Sequence, residues 1–322
     1  MRRRHTTAVT TPVEMIVPRD ADPGVRVCSE AWAECLREQG VDVQIADISD
    51  ASSAATMVIV APHAALGPLA DDPVRIASVL NRAVCVTTSR LGSGALAADV
   101  PFHSAAVASV ALSRDASRHL VARGVPTAQL KPGSHAQLCS SSVEPRVVSV
   151  GMHARCSTFR EDILTRSRDV LSPHPCDLRI SDDATGPPVQ LAPDEWRRWL
   201  TSLDVLLSLP PESGPGTDWC EVAPAVMNGA VVLTTAESDF GPLEPGDDIA
   251  TATGVGFADS LRRLLADGER RARMRESARA SLAAIPLDVT PLADAILSVM
   301  TGRRRARPFR SVHLRPIGAN GA

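Results

Sequence analysis

Short, mainly apolar runs alternate with amphipathic stretches along the first half of the chain. Apolar runs of this length are typical of strands buried on both faces, and each is followed by a polar turn. Strands that alternate with helices predict a parallel sheet with helices on both sides. The predicted strands are 13–17, 41–45, 57–61, 83–87 and 107–112, and the predicted helices are 29–39 and 74–80.

The second half repeats this alternation. It has predicted strands at 146–150, 177–180, 205–209 and 230–234, and predicted helices at 159–171, 193–203, 258–266, 269–283 and 290–300. A chain of 322 residues with 44% hydrophobic content is long for one domain. We therefore expect an α/β protein whose two Rossmann-like domains, 1–142 and 143–302, face a central cleft. The polar segment 134–144 would join them, and a basic tail, 303–322, would follow.

The densest signal lies in residues 204–232, which hold a strand, a glycine-containing loop, a helix and the next strand. Two prolines, Pro210 and Pro211, close the first strand because they cannot extend its hydrogen-bond ladder. Gly229 is the residue type that ends helices, and it stands just before the second strand. This order predicts one nucleotide-binding βαβ unit.

The start of the helix in this unit is a predicted anion site. Asp218 with Glu221 three residues later resembles a capping box, which would place free backbone N–H groups and the positive end of the helix dipole toward the loop. A diphosphate is a natural occupant of such a position.

Several motifs follow one another in a familiar order. They are Glu212 to Gly216, Gly229, Val231-Val232, the turn at 243–248 and the Asp-Gly-Glu-Arg-Arg helix start at 267–274. Their order resembles the donor half of the GT-B glycosyltransferases, chiefly the group 1 (family 4) class and its CgeB-like relatives. The resemblance implies that the second domain holds a nucleotide-sugar and the first domain holds the acceptor.

The resemblance also implies roles for single residues. Glu212 would be the carboxylate beside the transferred sugar and its phosphate, and Gly214, Gly216 and Thr217 would form the donor loop. Glu221 is a candidate ligand of the nucleotide ribose, with helix capping as the alternative. Two departures stand out: the carboxylates are nine residues apart instead of eight, and Pro224 stands near the position of the family's second Glu.

Basic residues after the first strand of the second half are candidates for binding the diphosphate. Arg155 and Arg160 follow the strand 146–150, where guanidinium groups would neutralise phosphate charge. Their spacing differs from that of the family. The alternative for Arg160 is a place on the solvent face of its helix.

The first half offers His63 as a candidate acceptor-side residue. It follows the strand 57–61, and ligands of open α/β sheets bind at the carboxyl ends of the strands. A histidine there could assist an acceptor hydroxyl, with a structural role as the alternative. The triplet Asp20-Ala21-Asp22 follows the first strand, and we interpret it as a solvated loop.

Composition excludes several classes of protein. No run of eighteen apolar residues or signal-peptide core occurs, and a net charge of −3 gives no reason to expect nucleic acid. Seven Cys without a CxxC pair indicate reduced thiols in the cytoplasm, with no disulfide framework or zinc site. The sequence lacks a nucleophile elbow, a Walker A loop and a GxGxxG fingerprint. We expect no cofactor besides the nucleotide-sugar co-substrate.

The basic tail carries six Arg within residues 302–315. Such a cluster is typical of a solvated chain end. Two other readings are a segment that packs back across the first domain and a patch for peripheral contact with an anionic membrane.

These observations predict a metal-independent glycosyltransferase that uses a nucleotide-sugar donor and an unidentified acceptor, with retention of configuration implied by the resemblance. Two alternatives stay open. One is a catalytically degenerate GT-B-like partner of an active transferase, and the other is a GT-B nucleotide-sugar epimerase.

Overall fold

A computed structural model describes residues 12–52, 54–89, 94–142, 145–181, 189–212, 214–235 and 237–303. The first half forms a six-stranded parallel sheet with strand order β2-β1-β3-β4-β5-β6. Its strands are β1 (Val13–Ile16), β2 (Val43–Ala46), β3 (Thr56–Val60), β4 (Ala83–Thr87), β5 (Ala108–Ala111) and β6 (Thr127–Gln129). Its helices are α1 (Pro23–Glu38), α2 (Pro62–Leu66), α3 (Pro73–Leu80), α4 (Gly94–Ala105) and α5 (Arg114–Ala122).

The second half forms a five-stranded parallel sheet with strand order β11-β10-β9-β7-β8. Its strands are β7 (Val148–Arg155), β8 (Cys176–Ser181), β9 (Leu203–Ser208), β10 (Val231–Thr234) and β11 (Ala250–Thr251). The helices are α6 (Thr158–Arg166), α7 (Arg168–Leu171), α8 (Pro193–Ser202), α9 (Trp219–Met227), α10 (Phe257–Ala266), α11 (Gly268–Ala283) and α12 (Thr290–Met300). The prediction of an α/β protein with two Rossmann-like sheets is confirmed.

Helix α1 begins at Pro23, six residues before the predicted start at residue 29. Proline is favoured in the first turn of a helix because its missing N–H has no helical partner there. The loop between the first strand and this helix is therefore shorter than the predicted bounds 13–17 and 29–39 imply. The predicted helix 159–171 was also wrong, because it divides at Ser167 into α6 and α7.

Gly24 allows α1 to approach α9 of the second half very closely. A Cβ atom on Gly24 would lie 2.2 Å from the carbonyl oxygen of Cys220. Only glycine fits at such a contact between two backbones. The apolar core is continuous across this contact, since Trp32 of α1 and Trp219 of α9 belong to one buried cluster.

The last helix, α12, returns to the first sheet. It packs against β3, β4, β5 and β6, with Leu292 and Ile296 fully buried. The chain passes between the sheets twice, and the two crossings pair with each other. Ser134 N donates to Ile285 O at 2.8 Å, and Leu287 N donates to Ser134 O at 2.9 Å. The boundaries of independently folding domains, predicted at 1–142 and 143–302, stay a prediction, but α12 lies on the first sheet.

No helix within the described ranges combines the length and the apolar character needed to cross a bilayer. The tail predicted at 303–322 lies outside the described residues except for Arg303, which follows α12.

Candidate active-site cleft

The carboxyl edges of the two sheets face each other. After β1, Asp20 lies 3.8 Å from the Arg155 guanidinium at the end of β7. After β5, the backbone N–H of Arg114 donates to Asp239, which follows β10, at 2.9 Å. Strands β3 and β4 lie between β1 and β5, and β9 lies between β7 and β10. The ends of β3 and β4 therefore face the end of β9 across a cleft, where open α/β sheets place ligands.

Arg160 connects the ends of β7 and β9 on the side of the cleft formed by the second sheet. Its Nε and Nη2 donate to Leu209 O at 2.9 and 2.7 Å, and its Nη1 donates to Arg155 O at 2.6 Å. The α6 helix that carries it is capped by Ser157, whose Oγ accepts from Arg160 N. The guanidinium thus lies at the carboxyl ends of β7 and β9, and the alternative of a solvent-facing side chain is wrong.

The predicted donor loop leads into α9 as expected, but without the predicted capping box. Gly216 has a φ of +99°, a conformation that favours glycine. Thr217 is buried and its Oγ1 donates to Ser238 O at 3.1 Å. Gly214, at the loop's start, has open space where a Cβ would stand.

Asp218 immediately precedes α9, yet its side chain accepts no capping hydrogen bond. The predicted capping by Asp218 is therefore wrong. The Glu221 carboxylate accepts a hydrogen bond from Ser208 Oγ at 2.5 Å, so it lies against the carboxyl end of β9. Glu212 is exposed just beyond the same strand, after the two prolines. Both carboxylates are thus on the cleft side of β9.

Thr235 is a residue of this edge that the sequence interpretation missed. It directly follows β10 and is 7% exposed, and its Oγ1 has no hydrogen-bond partner among the described residues. Leaving a buried hydroxyl without a partner is unfavourable, and such a group is a candidate ligand contact. The sequence could have indicated Thr235 only by its position directly after a predicted buried strand.

Asp22 brings negative charge from the first half toward the start of α9. Burial raises the pKa of Asp22, and nearby Asp218 raises it further, while His153, Arg155 and Arg160 act in the opposite direction. Part of Asp22 remains exposed to solvent, although the protein around it desolvates its carboxyl group. Asp20 and Asp22 are exposed, as predicted for a solvated loop, whereas Ala21 between them is buried, and the triplet lies in the cleft.

On the first side of the cleft, the buried carboxyl of Asp99 ties β3 to β4. Its Oδ1 accepts from His63 N at 2.9 Å, and its Oδ2 accepts from Thr87 Oγ1 at 2.9 Å and from Ser89 Oγ at 3.5 Å. Burial raises the pKa of Asp99 to about 7. None of these three partners carries a positive charge that would offset the cost of ionisation.

His63 follows β3 at the same place, after Ala61 in a left-handed conformation with a φ of 48°. Burial lowers the pKa of His63, so its ring is neutral at neutral pH. The Nδ1 atom is enclosed and has no hydrogen-bond partner among the described residues. The imidazole can therefore exchange a hydrogen bond or a proton with a neutral group.

Within the described part of the chain, one group places three possible metal ligands within 4.8 Å of one another: Cys35, Glu38 and His135. His135 Nδ1 accepts the Gln137 N–H at 3.2 Å, which leaves the proton of the neutral ring on Nε2, 3.8 Å from Glu38. A metal at Nε2 would need that proton on Nδ1, against the Gln137 donor. The tautomer therefore favours a hydrogen-bonded group over a metal centre.

No protein-family model and no curated protein sequence matches the chain. Several solved structures do match the chain. Anabaena HepE in complex with UDP-glucose is 14% identical, with a TM-score of 0.57 over 91% of this chain and 99% of HepE. WaaG, a glycosyltransferase involved in lipopolysaccharide biosynthesis, is 13% identical, with a TM-score of 0.53 over 90% of this chain and 100% of WaaG.

An alpha-glucosyltransferase in complex with UDP and a 13-mer DNA is 12% identical, with a TM-score of 0.52 over 90% of this chain and 99% of that one. Identities this low concern the fold alone. The two facing parallel sheets and the likeness over nearly the whole chain agree, and the chain has the GT-B fold of these glycosyltransferases.

Proposed function

We propose that the protein is a glycosyltransferase that moves a sugar from a nucleoside diphosphate to an acceptor hydroxyl. The observation that carries the proposal is the pairing of two unlike edges across the cleft. Cationic groups and a helix N-terminus lie on one side, and a neutral histidine beside a buried carboxyl lies on the other. This division suits a reaction in which one substrate is an anion and the other a neutral alcohol.

On the donor side, the leaving diphosphate gains negative charge as its bond to the anomeric carbon breaks. The backbone N–H groups in the first turn of α9 and the Arg155 guanidinium are preorganised donors for that charge, and the Thr235 hydroxyl adds a third type of donor. Arg160 contributes its charge while it fixes the strand ends, so it positions Arg155 as well as attracting the anion.

Carboxylates complete the donor side. Glu212, exposed beyond β9, is proposed to face the transferred sugar, and Glu221, held by Ser208, to contact the nucleotide ribose. On the acceptor side, the neutral His63 ring would orient the acceptor hydroxyl and receive its proton as the new glycosidic bond forms. Retention of configuration belongs to this proposal through the resemblance described above. Metal independence belongs to it because helix amides and Arg residues would meet the diphosphate charge, and a cytoplasmic location because of the unpaired cysteines in the sequence.

A thermal-shift screen tests the proposal without knowledge of the acceptor. UDP is the first ligand to use, since HepE and the alpha-glucosyltransferase were both solved with it. A ligand that binds only the folded state at a hundred times its Kd stabilises that state by about 2.7 kcal/mol. We expect UDP or UDP-glucose to raise the melting temperature. Failure of UDP-, GDP- and ADP-sugars alike would contradict the proposal.

A matched pair of variants locates the binding. Arg155→Met should lose most of the nucleotide-induced shift, whereas Arg273→Met, which removes an exposed guanidinium on α11, should keep it. Equal shifts in both variants would remove Arg155 from the donor site.

A degenerate binding protein is a second candidate function, favoured by one feature of α9. Pro224 stands inside the helix near the position of the family's second carboxylate, and the nearest carboxylate, Glu221, is engaged by Ser208. Nucleotide binding without release of UDP from any UDP-sugar, with or without candidate acceptors, would support this candidate over the enzyme.

A further inference from the structure

The turn after β10 is anchored firmly to the second half of the molecule. Thr217 Oγ1 donates to Ser238 O at 3.1 Å, and Trp219 Nε1 donates to Asp239 O at 3.0 Å. Gly241 fits closely against Trp219, where a Cβ would lie 2.7 Å from the indole ring. Residues 217 and 219 flank Asp218, so the turn is held by the same segment that begins α9.

The side chains of this turn reach the first half. The Asp239 carboxylate accepts from the backbone N–H of Arg114 at 2.9 Å and also from the Ser113 hydroxyl and the Asp115 amide. Beside it, Ser238 Oγ donates to Asp115 Oδ2 at 2.7 Å. The carboxylate thus lies at the N-terminus of α5, where the amides and the helix dipole favour negative charge, although burial raises the pKa of Asp239 overall.

The backbone of Asp239 adopts a conformation that few residue types tolerate. Its φ is 63°, in the left-handed region, where only Gly and, to a lesser degree, Asn and Asp are found routinely. Strain of this kind persists only where the surrounding contacts fix it. Here the fixing contacts are the two hydrogen bonds to the backbone carbonyls and those made by the carboxylate.

We infer that Asp239 is a positioning residue that holds the two halves of the molecule closed over the start of α9. The inference rests on the proposed function to the extent that α9 is taken as the nucleotide seat. Because one turn contacts both the segment before α9 and the N-terminus of α5, α5 can leave the second half only if these hydrogen bonds break. Closure of the cleft is thereby coupled to the order of the donor loop.

The contact at the other end of the cleft is too weak to do the same. Asp20 and Arg155 are 3.8 Å apart and retain 61% and 45% exposure of their side chains. Exposed ion pairs with this geometry contribute little because water and salt screen them. The Asp239 contact combines backbone donors with partial burial, so of these two contacts at the edges of the cleft it should resist opening more strongly.

Three variants distinguish the contribution of the Asp239 carboxylate from that of the left-handed backbone at this position. Asp239→Gly removes the carboxylate and tolerates the left-handed backbone. Asp239→Asn keeps that backbone and an acceptor oxygen for the α5 amides. Glu237→Gly adds the same flexibility at a neighbouring exposed position of the turn and leaves Asp239 in place. Circular dichroism and melting curves establish that each variant is folded.

Small-angle X-ray scattering of the full chain without ligand is the first measurement. We expect Asp239→Gly to increase the radius of gyration, and Asp239→Asn and Glu237→Gly to match the wild type. An unchanged scattering curve for Asp239→Gly, or an equal increase for Glu237→Gly, would overturn the inference. If Asp239→Gly does not fold, Arg114→Pro takes its place with the same expectation, because it removes the N–H that donates to Asp239 at the first position of α5, where proline is tolerated.

Titration with UDP is the second measurement. If the open form binds UDP poorly, Asp239→Gly should weaken binding by roughly three- to tenfold, in proportion to the loss of the closed population. An unchanged Kd in a variant that scatters as an opened form would overturn the coupling to the nucleotide seat. Absence of UDP binding by the wild type would instead count against the proposed function, and scattering alone would then decide the role of Asp239.

Discussion

The carboxyl edges of the two sheets have the same backbone plan and different electrostatic character. At the ends of β7 and β9, Arg155 and Arg160 accompany the N-terminus of α9, so this edge offers positively charged groups and the positive end of a helix dipole. At the ends of β3 and β4, a neutral His63 ring lies beside a buried Asp99 whose partners are neutral.

This difference shows where the chemistry of the molecule resides. The two parallel sheets share a strand-helix plan, and the side chains that face the cleft come from the short segments that follow their strands. Those segments set the local charge, whereas the strands themselves supply the buried framework. The proposed division into a donor side and an acceptor side depends on them. Four experiments test the two edges and the packing that holds them together, beginning with the largest expected effect.

The first sheet depends on a helix that comes from the other end of the chain, so removing α12 should have the largest effect. A chain that ends at Val289 loses the buried Leu292 and Ile296 and exposes the face of β3, β4 and β5. Burial of two such side chains is worth roughly 3–6 kcal/mol, a large part of a domain's stability. Urea unfolding should show this loss.

The control is a chain that ends at Met300, which keeps α12 and lacks the tail. It should unfold at the same urea concentration as the full chain. If the chain that ends at Val289 were equally stable, the first sheet would not need α12.

On the donor edge, Glu212→Gln should lower sugar transfer or donor hydrolysis by on the order of 10²- to 10³-fold, because an amide cannot stabilise developing positive charge as a carboxylate does. The melting temperature should not change, since Glu212 is exposed. Release of UDP from UDP-glucose measures the effect. Glu276→Gln, an exposed change on α11, is the control, and wild-type turnover in Glu212→Gln would exclude this residue from the site.

The contact that brings the two edges together is tested by Gly24→Ala. The added methyl would meet the Cys220 backbone at 2.2 Å, and overpacking of this kind costs about 1–3 kcal/mol. We expect a lower melting temperature and a weaker response to UDP. Gly67→Ala, where nothing lies within 4 Å, should behave as the wild type. Equal stability of both variants would mean that α1 and α9 can separate freely.

The acceptor edge is tested through the pH dependence of Asp99. Its pKa is about 7 in the folded protein, against a usual value of 3.8. Between pH 4 and 7 the unfolded chain releases this proton while the folded protein keeps it, so rising pH favours unfolding, by at most about 1.4 kcal/mol per pH unit. Above pH 7 the Asp99 carboxyl is ionised in both the folded and the unfolded state, so its contribution to the free energy of unfolding no longer changes with pH.

Asp99→Asn cannot ionise and should lack this dependence. Urea unfolding at pH 5, 6, 7 and 8 should show the variant gaining stability relative to the wild type as the pH rises. A constant difference between the two proteins across this range would show that Asp99 does not hold its proton. Asp42→Asn, a change at an exposed residue before β2, should leave the pH dependence as it is in the wild type.

Much of the fold followed from the sequence by itself. The apolar runs predicted eight of the nine main strands to within two residues, and β7 with its end five residues too early. The central strands were predictable because a strand buried on both faces of a parallel sheet must be apolar almost throughout. Gly229 and the strand after it were also correct, because a left-handed residue that ends a helix has few alternatives to glycine. The short edge strands β6 and β11 were missed, as they are too short to leave a pattern.

Tertiary structure alone decided which side chains share the cleft. Asp99 is distant in sequence from His63, and Asp239 is far from Arg114, so no local pattern could join them. The capping by Asp218 was mispredicted for a related reason. Spacing indicates which local hydrogen bonds can form, but Ser208, brought alongside by the packing of α9 on β9, determined the one that Glu221 makes. The sequence thus determines local structure where one residue type has few alternatives, and packing decides wherever several partners compete.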